Sequence, residues 1–289
     1  MIHDFDYYAP KNLKEALTLL EKYKDDGKII CGGQSFLILM KQGLVSPKNM
    51  VDIKGLTELC YIKSDAKGMK IGATTTHRMI EKSKEMKGAY AVLGEMEKRL
   101  ASIQTRNWGT IGGNLSHGDP AGDPAPVMMA LGATLKLSSI NGDRTIPLDK
   151  FYHDYFETDL KPGEMLNEVQ IPAPKPRTGV AYTKFNIIQS DMATVGVAVG
   201  ITLAADDTCE DCKIALGAVA PTARRAADAE AILKGNKITD ALLVKAGEAA
   251  SKQTEPISDI YASAEYRAEI VKILVKRVAK EALARAKKS

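Results

Sequence analysis

The chain has 289 residues, 45% hydrophobic and 26% charged, an ordinary globular composition with enough surface to bury one large domain or two to three smaller ones. Its 40 basic and 36 acidic side chains leave a net charge of +4, too mild to imply a nucleic-acid or anionic-membrane partner. No apolar run approaches the eighteen or so residues of a bilayer span, and "MIHDFDYYAP" carries an acidic pair where a secretory leader carries basic residues, so a cytoplasmic protein is expected.

In chain order, "NLKEALTLLEKY" sets Leu13, Ala16, Leu17 and Leu20 on one helical face, with Asn12 as N-cap. "GKIICGGQSFLILMKQG" reads as a strand, a glycine corner and an apolar helix or strand, and "NMVDI" as a further short strand. "GMKIGATTT" is a strand ending in a polar turn, and the long stretch from Thr76 to Ser102 reads as helical. The three prolines of "IPAPKPRTG" mark the best domain boundary. Beyond it, "VAYTKFNII", "MATVGVAVGITLA" and "CKIALGAVA" read as strands, followed by helices over "AADAEAILKG" and "ITDALLVKAGEAASK". A final helix places Ile270, Ile273, Leu274 and Val278 on one face, with Lys and Arg crowding its C-terminal end, where the helix dipole favours cations.

Two glycine corners carry the chemistry. In "CGGQS", Gly32 and Gly33 lack bulk, so the backbone can take φ > 0 and a ligand can approach its N–H groups; successive amides of this kind form an anion-binding nest. A plain tight turn is the alternative. "GTIGGNLSHGDPAGDPAP" supplies a second such corner at Thr110, Gly112, Gly113 and Asn114, followed by Asp119 and Asp123. Two such loops suit a ligand with two phosphates, and neither is a Rossmann or Walker fingerprint. Asp123 could accept hydrogen bonds from sugar or ribityl hydroxyls, though an Asp before Pro is also an ordinary turn residue.

The pair "CGGQSFLILMKQG" and "TRNWGTIGGNLSHGDPAGDPAPVMMALGA" resembles the two FAD-binding motifs of the medium, flavin-carrying subunit of the molybdenum hydroxylase family, the carbon monoxide dehydrogenase and xanthine dehydrogenase type. "GEMLNEVQIP", "KFNIIQSDMA" and "ALGAVAPTARRA" extend the similarity along the chain. The resemblance implies an α+β fold with a two-subdomain FAD-binding portion like that of vanillyl-alcohol oxidase, over 1–175 (subdomains about 1–55 and 56–175), and a C-terminal α+β domain over 176–289. It also implies noncovalent FAD, cradled by Cys31, Gly32, Gly33, Gln34 and Ser35 with Phe36, Leu37 and Ile38 behind, and by Thr110, Ile111, Gly112, Gly113 and Asn114. Asp123 falls on the flavin hydroxyls, and Leu166 and Leu100 line the pocket. Lys184 matches a lysine near the flavin, its alternative being a solvated strand residue. Asp191 and Met192 match a pair beside the isoalloxazine ring, where several relatives carry an aromatic in place of Met192.

The implied function is electron transfer within a hetero-oligomer. A large molybdopterin subunit would turn over the substrate and a small subunit with 2Fe–2S clusters would exchange electrons with the FAD. No residue of this chain need act on that substrate as acid, base or nucleophile. Two alternatives stand beside this reading: a self-standing FAD oxidoreductase, and a non-redox nucleotide-binding protein. Cys209 and Cys212 have C-x-x-C spacing without a second ligand pair, so no metal is expected and a chance loop pair is the reading. His117 reads as a loop residue near the flavin and Trp108 as a packing residue beside the second corner.

Overall fold

The computed structural model describes residues 2–188 and 190–289, in three layered units. The first contains β1 (Asp6–Tyr8), α1 (Leu13–Lys22), β2 (Gly27–Ile30), α2 (Phe36–Lys41) and β3 (Asn49–Asp52). Its strands run parallel in the order β1-β3-β2, so β2 and the corner that follows it lie at the sheet edge. Asn12 caps α1 as its sequence position predicts, its Oδ1 accepting from Glu15 N at 2.9 Å. Ala16 and Leu20 are buried against Val51, Ile53, Leu56 and Leu59, forming a small core of their own.

The second unit runs through β4 (Ile62–Asp65), β5 (Gly68–Gly72), α3 (His77–Lys82), α4 (Ala91–Arg99), α5 (Ile103–Trp108), α6 (Ile111–His117), α7 (Pro124–Ala130), β6 (Thr134–Ser139), β7 (Gly142–Pro147), the small hairpin β8 (Tyr152–Asp154) and β9 (Glu157–Thr158), and β10 (Met165–Pro172). Its antiparallel sheet has the order β4-β5-β10-β6-β7. The single long helix expected from Thr76 to Ser102 is instead broken into α3 and α4, the latter preceded by a one-turn 3-10 helix (Gly88–Tyr90): Ser83 leaves α3 with ψ 135°, and Ala101 takes φ 43° after α4, just before α5 begins. Arg106 fixes the second bend, donating from Nη1 to the carbonyls of Leu100 (2.7 Å) and Ala101 (2.8 Å) and from Nε to Glu81 Oε2 (3.0 Å).

The third unit is an antiparallel meander of β11 (Thr178–Phe185), β12 (Val195–Leu203), β13 (Cys209–Gly217) and β14 (Arg224–Arg225), backed by α8 (Ala227–Leu233), α9 (Asp240–Lys252) and α10 (Ala264–Ala286). All nine residues of β12 are buried, and "VGVAVGITL" explains how. Val195, Val197, Val199, Ile201 and Leu203 point into the core beneath α9 and α10, each stabilising the unit by roughly 1.5–3 kcal/mol. Gly196, Ala198 and Gly200 alternate onto the other face, where α7 packs so closely that a Cβ on Gly200 would lie 2.7 Å from the Ala130 carbonyl oxygen.

Two expectations are corrected in this unit. Ile273 is exposed; the buried stripe of α10 runs through Val271, Leu274, Val275, Val278 and Ala282, because 273 lies a third of a turn outside it. "VAYTKFNII" leaves the sheet at Phe185, and Ile187 and Ile188 stand in solvent.

Candidate functional site

The two glycine corners meet edge to edge. A Cβ on Gly32 would lie 2.4 Å from the Trp108 carbonyl oxygen and 2.7 Å from the Gly109 Cα, so Gly32 is dictated by this contact, whereas Gly33 takes φ 69°. Along the first corner, the amides of Gly32, Gly33, Gln34, Ser35 and Phe36 find no acceptor among the described residues. Ser35 at the start of α2 makes no capping bond, and the one side-chain bond inside the corner runs from Gln34 Nε2 to the Gly32 carbonyl at 3.0 Å. Five successive donors without acceptors form a nest that a diphosphate would satisfy. Cys31 closes the strand end, its thiol pushed up to about 11 by burial and so held neutral.

The second corner is built differently, and the expectation that it offers free amides is corrected. Ile111 N donates to the Thr75 carbonyl (3.0 Å), Gly112 N to Ala73 O (3.0 Å), Gly113 N to Thr110 Oγ1 (3.2 Å) and Asn114 N to Thr110 O (2.9 Å). Gly112 is required by packing, since its Cβ would lie 2.6 Å from Ala73. Gly113 is exposed, does not take positive φ, and would present a Cβ to open space with only Thr110 Oγ1 (3.0 Å) within 4 Å. This corner therefore offers a wall at Gly113 and the half-buried Asn114 side chain.

Asp123 stands at the start of α7 and is 5% exposed. Tyr182 Oη donates to its Oδ1 at 2.6 Å and Lys184 Nζ to its Oδ2 at 2.8 Å; Lys184 Nζ also donates to the Asp191 carbonyl at 2.9 Å. Burial pushes the Asp123 carboxyl up, while the Lys184 ammonium and the Tyr182 hydroxyl pull it back toward the ionised form. Lys184 is thus a buried ion-pair partner, not a solvated strand residue, and Asp123 already holds one internal donor on each oxygen. Beside them His77 Nδ1 meets Glu97 Oε1 at 3.0 Å, both side chains being buried, and His77 N donates to the Gly109 carbonyl at 3.0 Å. Burial raises the Glu97 carboxyl above its ordinary range against the pull of His77.

Leu100 and Leu166 lie in the large apolar core, where any contact with a ligand falls to their backbone or to a core-facing surface. Leu37, Ile38 and Met192 are exposed. Asp191 and Met192 border a cleft of about 250 Å³ that also takes in Asp119, Tyr155, Tyr261 and Arg267. A larger groove of about 650 Å³ between α1 and the β6–β7 turn contains no residue of either corner and no candidate site residue. His117 packs its ring 5.1 Å from that of Phe156, and burial lowers its pKa. The Trp108 backbone packs against Gly32, but its indole is 56% exposed with Lys54 Nζ 3.1 Å from the ring centroid, so the side chain is not the packing residue expected. Cys209 and Cys212 lie on β13, not in a loop, both buried in the third unit's core and one on each side of a bulge. Among the described residues no three His, Cys, Asp or Glu side chains gather as a metal site, and no helix is long and apolar enough to cross a membrane.

Sequence reasoning missed Tyr182, His77, Glu97 and Arg106. Tyr182 and Lys184 share a strand face by their spacing of two, but their common partner lies 59 and 61 residues away.

The first corner thus offers a row of backbone amides suited to an anionic ligand. Residues 3–174 match the FAD binding domain in molybdopterin dehydrogenase, and residues 180–282 the CO dehydrogenase flavoprotein C-terminal domain. The chain is 35% identical to the carbon monoxide dehydrogenase medium chain of Hydrogenophaga pseudoflava, covering 97% of this chain and 98% of that one. It is 34% identical to the glyceraldehyde dehydrogenase medium chain of Sulfolobus acidocaldarius, over 96% and 98% of the two chains. A solved structure of carbon monoxide dehydrogenase from Hydrogenophaga pseudoflava superimposes with a TM-score of 0.95 at 36% identity, covering 99% of both chains. The chain therefore belongs to the family of FAD-binding medium subunits of molybdenum hydroxylases, an oxidoreductase family, with the α+β architecture that the resemblance implied.

Proposed function

We propose that this chain carries noncovalent FAD and exchanges electrons between 2Fe–2S clusters of a small partner subunit and an external acceptor or donor, in a cytoplasmic complex whose large molybdopterin subunit turns over the substrate. The observation that carries the reading is the row of five amides at Gly32–Phe36 without acceptors among the described residues, in a chain whose residues 3–174 match an FAD binding domain. The subunit and medium-chain names of the relatives support a hetero-oligomer. Four unpaired thiols are what a reducing compartment permits. The reading divides the chain at 175/176, between the last strand of the five-stranded sheet and the first of the meander.

The residues present fit the cofactor. Amides of Gly32, Gly33, Gln34, Ser35 and Phe36 would hold the diphosphate, with Cys31, Leu37 and Ile38 shaping the corner behind them. Thr110, Ile111, Gly112, Gly113 and Asn114 would form the opposite wall, kept narrow by Gly113. Asp123, Leu100 and Leu166 would line the middle of the pocket. Lys184, held by Asp123 and the Asp191 carbonyl, would place a desolvated cation at the ring end, with Met192 at the exposed rim. Bound FAD would supply the electron-accepting ring; the chain's own residues bind it, orient it and set its electrostatic surroundings.

Two measurements test this reading. Acid precipitation should release one FAD per chain and leave a colourless protein; FMN, or colour remaining on the denatured chain, would refute noncovalent FAD. Mass spectrometry of the native complex captured through this chain should find a large and a small subunit, and capture of the chain alone would refute the partner assignment.

A further inference from the structure

Tyr182 and Lys184 occupy alternate positions of β11, so both side chains leave the strand on the face turned toward Asp123. They close on one carboxylate, the hydroxyl on Oδ1 and the ammonium on Oδ2. The phenol has a fitted place: Gly196 sits opposite Lys184 in the β11–β12 register, and a Cβ there would lie 3.2 Å from Tyr182 Oη. Tyr182 is 8% exposed, and burial together with the Asp123 charge raises its pKa well above the usual value, which keeps the hydroxyl a donor. A carboxylate that accepts from two donors divides its charge between them. Without the phenol it would turn wholly onto Lys184 and cancel more of the ammonium's field.

Resting on the placement of Lys184 at the ring end of bound FAD, we infer that Tyr182 is a positioning residue for the flavin: by engaging Asp123 Oδ1 it leaves part of the Lys184 charge available to favour the reduced ring. Uptake of two electrons and one proton leaves the ring with one net negative charge. In a redox titration the electrons come from dithionite and the proton from water. A desolvated cation nearby stabilises that anion, and weakening the cation's field makes reduction harder. The clasp crosses from the third unit of the fold to the second, so the strand that begins the C-terminal domain tunes a cofactor cradled by the N-terminal portion.

The test is a potentiometric titration of the FAD-loaded protein, comparing wild type, Tyr182→Phe and Tyr90→Phe. Tyr90 is equally buried and donates its hydroxyl to the Pro172 carbonyl at 2.9 Å, so it controls for loss of a buried hydroxyl as such. Tyr182→Phe should retain FAD and lower the reduced-to-oxidised ratio at a fixed potential about tenfold, a midpoint shift of about −30 mV for a two-electron couple, while Tyr90→Phe leaves the midpoint in place. Gly196→Ala, which presses on the hydroxyl, should shift it in the same direction and serves as the test if Tyr182→Phe does not fold. FAD retained with an unshifted midpoint in these variants, or an equal shift in Tyr90→Phe, overturns the positioning role and leaves the FAD site standing. Wild-type protein that binds no FAD overturns the reading beneath it.

Discussion

Lys184→Met should be among the most destabilising single changes in the chain. Its ammonium is 3% exposed at the side chain and donates at 2.8 Å to Asp123, whose side chain is 5% exposed. Removing one partner of a buried pair strands the other charge; only the Tyr182 hydroxyl, at 2.6 Å, would remain on the Asp123 carboxylate. Such losses cost about 3–5 kcal/mol, a large share of a total stability of about 5–15 kcal/mol. At about 2–4 °C per kcal/mol, the melting temperature of the flavin-free protein should fall by roughly 6–20 °C. Asp123→Asn combined with Lys184→Met removes both charges, and urea unfolding of the double variant should show a loss well below the sum of the two single losses. The reasoning is refuted if Lys184→Met costs less than about 1 kcal/mol, the size of a solvated surface pair, or if the two losses add.

Other outcomes follow from the same geometry. Gly113→Val should abolish flavin retention, read from the visible absorbance, with far-ultraviolet circular dichroism unchanged, because the side chain enters open space; full FAD occupancy would show that Gly113 does not face the ligand. Gly112→Val should instead destabilise the fold by collision with Ala73, and an unchanged melting temperature would contradict that packing. Cys209→Ala with Cys212→Ala keeps the third core apolar and should leave flavin content unaltered; stoichiometric iron or zinc in the isolated chain, lost in this variant, would assign the pair to a redox or metal centre. Arg144 donates to Asp159 Oδ2 and Glu164 Oε2, each at 2.6 Å, and these hydrogen bonds hold both carboxyls below their ordinary range. A depressed carboxyl stabilises fully above the unfolded value of about 4 and loses that contribution as pH falls through the folded value, so Arg144→Met should flatten the acid limb of stability against pH. An equally steep limb in the variant would show that these pairs do not carry it.

What the sequence made legible was set by how local the signal is. The cap at Asn12 and the stripe of α1 depend on neighbours within a few residues, and both form as read, while β12 forms within the stretch read as a strand. The breaks at Ser83 and Ala101 do not: no proline marks them, and the second is imposed by Arg106 reaching back to two carbonyls. Both glycine corners were visible as motifs, yet their different chemistry was not. Two of the acceptors that occupy the second corner's amides, Ala73 and Thr75, come from a separate segment paired beside it. The Tyr182–Asp123–Lys184 clasp depends on α7 lying against the small-residue face of β12, a tertiary fact that no spacing encodes.

The central claim is that the first corner holds the diphosphate of FAD and that Lys184 stands at the ring end. An experimental structure of the yellow, FAD-loaded chain tests it most directly. The account predicts phosphate oxygens within hydrogen-bond distance of the amides between Gly32 and Phe36, Gly113 flanking the ligand without donating, and the isoalloxazine beside Lys184 and Asp191. A diphosphate bound away from Gly32–Phe36, or a ring remote from Lys184, would contradict it.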